Sequence, residues 1–132
     1  MTWREGFIDY SPETGDPLGL GAHARLDAHE AYDLTLNSDY PDSLVQIACL
    51  SDSPRSGEII LSAACDWDFR AKYEPIPHQS SHGGLRRDHM LVPLLLNRPA
   101  ATVPRRTVDV MPSACRALGI RIPPGLDGEP FI

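Results

Sequence analysis

Two strand-length apolar runs constrain this chain more than any other feature. They are Glu58-Ile-Ile-Leu-Ser-Ala-Ala64 and Met90-Leu-Val-Pro-Leu-Leu-Leu96. Both are almost continuously apolar, as strands buried on two faces are. Pro93 has no N–H to give a ladder, so it belongs at an edge or a bulge. Between the runs, residues 65–89 show no period. A structureless stretch of about 25 residues is usually functional or disordered. A sheet covered on both faces normally holds ~5–6 strands, and 132 residues are too few for that. The predicted fold is therefore α/β, with a partial sheet of two to four strands and accompanying helices.

The length fits one domain or a domain fragment. We divide it into an irregular segment over 1–25, a helical segment over 26–56 and a distinct segment over 57–132. Thirteen prolines and ten glycines make the chain loop-rich. No apolar run approaches the ~18 residues of a membrane helix. The start lacks a basic region followed by an apolar stretch, so no secretory leader is expected. Cys49, Cys65 and Cys115 are odd in number and far apart. They predict buried free thiols, and a cytoplasmic location, rather than a disulfide framework.

Charge is uneven. Residues 1–66 carry 12 acidic and 3 basic groups, whereas residues 67–132 carry 6 acidic and 9 basic. A sequence pI near 5.2 speaks against a nucleic-acid partner. Asp27 and Glu30 have capping-box spacing and predict a helix over 28–36. Pro41 suits the first turn of a second helix over 41–51. Asp109 predicts the start of a last helix, with Pro112 in its first turn and Gly119 as the left-handed residue after its end.

Five motifs follow in order. They are His82-Gly83, Val92-Pro93-Leu94, Thr107-Val-Asp109-Val-Met-Pro112-Ser113, Leu118-Gly119-Ile120 and Asp127-Gly128. In this order and spacing, from Gly57 to Ile132, the chain resembles the carboxyl end of the alkaline phosphatase superfamily. It looks most like the type I phosphodiesterase and nucleotide pyrophosphatase branch. That resemblance implies an α/β enzyme with helices on both sheet faces. It also implies hydrolysis of phosphoesters by a Ser or Thr nucleophile at two metal ions, usually zinc. By the same resemblance His82 corresponds to a metal ligand, and Gly83 would let the loop approach the site. The nucleophile and the Asp-His-Gly motif of such enzymes are missing; the chain has Asp88-His89-Met90 instead. The resemblance covers about the last third to quarter of such an enzyme. It implies a partial protein, inactive alone, with zinc or another divalent metal bound only by the complete enzyme.

Other residues carry weaker expectations. His78, His82 and His89, with Asp88, Asp66 or Asp68, offer a residual single-metal site, and with it a small zinc hydrolase as a competing enzyme reading. His82 is otherwise an ordinary loop histidine. Arg86 and Arg87 would hold a phosphate by their forked donors, or else face solvent and pair with Asp88. Ser80, Ser81 and Ser113 lack an evident base, and Asp109 and Ser113 read better as helix-start residues. Trp67, Phe69 and Tyr73 are expected to cover the core. A second function class is a binding or assembly module. Open sheet edges and uncovered apolar faces would make it dimerise or complement a separate catalytic chain.

Overall fold

The computed structural model describes residues 1–67, 69 and 82–132. Among these residues it shows a small α/β arrangement with a three-stranded antiparallel sheet and four helices. The chain divides into two compact units, Met1–Val92 and Pro93–Ile132.

In the first unit, β1 (Thr2–Arg4) and β2 (Phe7–Tyr10) form a hairpin. Its two-residue turn, Glu5-Gly6, has positive φ at both positions, the geometry that matches the twist of the flanking strands. β3 (His23–Leu26) pairs with the other edge of β2, with an irregularity between Ile8 and Tyr10. The loop between β2 and β3 closes on one carboxylate. Asp16 accepts the Tyr10 hydroxyl at 2.6 Å and the amides of Gly19 and Gly21 at 3.0 and 2.6 Å. The Tyr10 bond, then the Gly21 amide, hold the Asp16 carboxyl below its usual pKa. Burial, then Asp16, push the Tyr10 hydroxyl up.

α1 (Ala28–Thr35) starts as its sequence predicts. The Asp27 side chain accepts the His29 and Glu30 amides at 2.8 Å, and Glu30 accepts the Asp27 amide at 2.9 Å. α2 (Ser43–Ser51) begins two residues after Pro41, because Asp42 takes a left-handed conformation and delays the helix. Thr35 joins the two helices. Its buried hydroxyl donates to the Ala31 carbonyl at 2.8 Å and accepts the Asp42 amide at 2.9 Å. Ile8, Tyr10, Ala31, Leu44, Val45 and Ala48 form the core between sheet and helices. α3 (Arg87–Met90) is one further turn.

In the second unit, a 3-10 turn (Thr107–Asp109) leads into α4 (Val110–Ala117). Pro112 is buried in the first turn of α4, as its sequence predicts, but Asp109 is not a side-chain cap: it has helical backbone at the end of the 3-10 turn, and its carboxylate binds no amide of α4. The helix ends as expected. The Gly119 amide bonds to Arg116 and the Ile120 amide to Cys115, the paired bonds of a Schellman ending, with Gly119 at φ +68°.

Several expectations are corrected. The segment over 1–25 is not irregular: it holds β1, β2 and part of β3. These strands are only three or four residues long, so the turn residues around them hide their alternation. Glu58–Ala64 and Met90–Leu96 form no strands, and Met90 closes α3. Ile59 is 79% exposed and Leu95 is 93% exposed. A strand buried on both faces needs neighbours on each side, and the one sheet among the described residues is built by the amino-terminal hairpin. Trp67 and Phe69 are exposed and do not cover the core; Tyr73 lies outside the described residues. Cys115 is buried, but Cys49 and Cys65 are exposed thiols. Among the described residues no helix is long and apolar enough to cross a membrane.

Candidate functional site

His82 to Met90 form the candidate site in the first unit. The His82 ring sets Nδ1 at 2.9 Å from the Gly83 carbonyl. A carbonyl only accepts, so Nδ1 carries a proton, and in the neutral ring Nε2 keeps its lone pair. His89 has the opposite arrangement. Its Nδ1 accepts the Gly84 amide at 3.0 Å, so in the neutral ring Nε2 is the protonated nitrogen. Gly83 packs tightly here: a Cβ on it would stand 3.2 Å from the His89 Cβ. The glycine pair thus folds the loop back onto α3. Of these two rings, His82 retains a basic nitrogen for a metal or a proton, whereas His89 uses its own to hold the loop.

The two arginines divide their work. Arg87 anchors α3 to the end of α1. Its guanidinium donates to the Leu36 carbonyl at 2.6 Å and the Ser38 carbonyl at 3.2 Å, and its amide donates to Asp39 at 2.8 Å. These carbonyls lie where a helix leaves acceptors unpaired and where the dipole favours a cation. Arg87→Met should therefore destabilise the first unit by about 2 kcal/mol, the scale of a charged hydrogen bond. Urea unfolding followed by tryptophan fluorescence reads this, and an unchanged midpoint would refute the anchor. Arg86 Nε lies 3.4 Å from an Asp88 oxygen, an ion pair too poorly aligned for a hydrogen bond, and this buried Nε has no hydrogen-bond partner among the described residues. Partial burial lowers the Arg86 pKa, but Asp88, then Cys65, Tyr40 and Asp39, raise it overall.

The metal expectation meets a sparse donor set. Among the described residues no group of three or more His, Cys, Asp or Glu side chains is placed to hold a metal ion. His78, Asp68, Ser80 and Ser81 lie outside the described residues. Asp66 is exposed with a left-handed backbone at φ +64°.

The later motifs come together in the second unit. Asp109 Oδ2 accepts the amides of Arg105 and Arg106 at 3.1 and 3.0 Å, and Oδ1 accepts the Glu129 amide at 3.0 Å. The Ser113 hydroxyl donates to the Asp109 carbonyl at 2.6 Å and accepts the Phe131 amide at 2.9 Å. The Phe131 carbonyl accepts the Ala101 and Thr102 amides at 2.7 and 3.3 Å, and its ring is buried. Gly128 lies against the Val108 carbonyl, where any Cβ would overlap it. Ser113 is thus committed to structure, with both its donor and an acceptor site occupied. The amide set also shapes Asp109. Burial raises its pKa, but the amides of Arg106, Glu129 and Arg105 and the Arg106 charge outweigh that and hold it below the usual value.

The sequence showed Asp109 and Ser113 as helix-start residues but not their hold on the tail. Nor did it show Arg87 as an anchor or Asp16 as the closure of a loop. These roles depend on partners that local spacing does not specify, 18 to 51 residues away for Ser113 and Arg87. No protein-family model, curated protein or solved structure matches this chain.

Proposed function

We propose that this chain is the carboxyl-terminal portion of a phosphodiesterase- or nucleotide-pyrophosphatase-like member of the alkaline phosphatase superfamily. The observation that carries this reading is the meeting of its later motifs. Thr107–Ser113 and Asp127–Gly128 are separated in sequence, yet Gly128 packs on Val108 and Glu129 bonds to Asp109. That contact supports the reading, because motifs grouped by the resemblance also pack as one unit in this chain.

In the complete protein the metal, zinc or another divalent ion, would activate a nucleophile and stabilise charge on a phosphoester. His82 would present Nε2 to it, with Nδ1 held by Gly83. One imidazole does not make a site, since catalytic zinc takes three protein ligands. The chain by itself is therefore inactive in this reading. The exposed Cys49 and Cys65 thiols suit a reducing cytoplasm.

A bis-nitrophenyl phosphodiester with added zinc should show no turnover above the buffer rate, and dialysed protein should retain no stoichiometric zinc. Turnover that disappears in His82→Ala would overturn the inactive reading and favour a small zinc hydrolase. A second reading, an assembly module, is favoured by the exposure of both apolar runs. In that reading the chain pairs with a second copy or with a separate catalytic chain.

A further inference from the structure

One pair of side chains in the second unit serves neither the tail nor the phosphodiesterase reading. The Cys115 thiol donates to the Met111 sulfur, with Sγ and Sδ 3.6 Å apart. The two residues are four apart on α4, so they stand one turn above the other on one helix face. Cys115 is 7% exposed and Met111 is 50% exposed, so the pair reaches from the interior of the unit to its surface. Leu118, three residues beyond Cys115, continues that face as exposed apolar surface.

We infer that Cys115 and Met111 form a binding site for a soft monovalent cation of the Cu(I) class. Thiolate and thioether are the donors that favour Cu(I). A structural zinc ion would ask for four ligands. Among the described residues no group of three His, Cys, Asp or Glu side chains is placed to supply them.

The thiol hydrogen bond marks the position the ion would take. A proton now lies between the two sulfurs. On binding, the thiol gives up that proton and the cation replaces it, bonded to the resulting thiolate and to the thioether. Metal–sulfur bonds are about 2.3 Å long, so sulfurs 3.6 Å apart already span a bent bridge. Methionine is unbranched, with three rotatable bonds, so its half-exposed side chain can swing outwards and widen the bridge. The site lies in the other unit from His82 and is independent of the hydrolase-fragment reading.

The test is an anaerobic titration of the full chain with Cu(I) against a coloured Cu(I) chelator. Cys49→Ser and Cys65→Ser are combined first, since those exposed thiols would otherwise capture the ion. The expected result is one Cu(I) held per chain, with release of one proton and no comparable uptake of zinc. Met111→Leu keeps the side-chain volume and should weaken binding by at least about tenfold. Cys115→Ser should abolish it, with the far-UV circular dichroism spectrum unchanged in both. A chain lacking Cys49 and Cys65 that takes up no Cu(I) overturns the site. Uptake that Met111→Leu leaves unchanged overturns it too, because a thiol alone would then be the ligand. If Cys115→Ser loses the native spectrum, the Met111→Leu comparison decides.

Discussion

Replacing Asp109 by alanine should release the carboxyl-terminal tail and cost the second unit about 3–4 kcal/mol. The cost follows from what the carboxylate holds. Three backbone amides, from Arg105, Arg106 and Glu129, converge on its two oxygens. Removing an acceptor from a partly buried donor costs about 1–3 kcal/mol, and the freed tail regains some of that loss by hydration. Amide exchange at Glu129 and Phe131 should accelerate most, since Phe131 is held by the neighbouring Ser113. Asp109→Asn keeps an acceptor on one side only and should be intermediate. The pH dependence has a definite sign. The folded pKa of Asp109 is depressed, so its contribution is fully present above the unfolded value of about 3.9 and is lost as pH falls through the lower folded value. Exchange at these amides that is unchanged in Asp109→Ala, or protection that grows as the solution is acidified, would refute the clip.

Gly128→Val should be comparably damaging, at about 3 kcal/mol, the upper part of the usual range for overpacking. A Cβ at this position would overlap the Val108 carbonyl and stand 2.7 Å from the Asp109 amide nitrogen. Both obstacles are backbone, so no side chain can rotate away. The tail must lift, and lifting it separates Glu129 from Asp109. Gly128→Val and Asp109→Ala therefore break one interaction from two ends, and the double variant should lose less than the sum of the singles. Chemical denaturation of all three chains measures this. Full additivity would show that Gly128 and Asp109 act independently.

Legibility in the sequence followed the range of the interaction. The capping box of α1 and the Schellman ending of α4 were both readable because each is closed by residues within about one turn. α2 was readable as apolar helix, but its start was misplaced by two residues, because nothing in Pro41-Asp42 signals a left-handed aspartate. The strands were missed for a different reason. Three- and four-residue strands offer too few positions for a period of two, and Glu5-Gly6 reads as a turn without showing what it joins. The apolar runs show the converse error. Their composition predicts neighbouring strands, and the described residues hold none for them. At the candidate site, His82 and Gly83 were visible through motif order. The opposite proton positions of His82 and His89 were not, because they are set by Gly83 and Gly84 backbone groups that only the fold brings into reach.

Arg87 gives the histidine loop a mechanical character. One guanidinium and one amide tie it to three carbonyls at and just after the end of α1, those of Leu36, Ser38 and Asp39. The loop and the end of that helix therefore fray as one body. Gly84 is bonded to His89 on the same turn, so the backbone next to His82 is fastened through α3 and Arg87 to the end of α1.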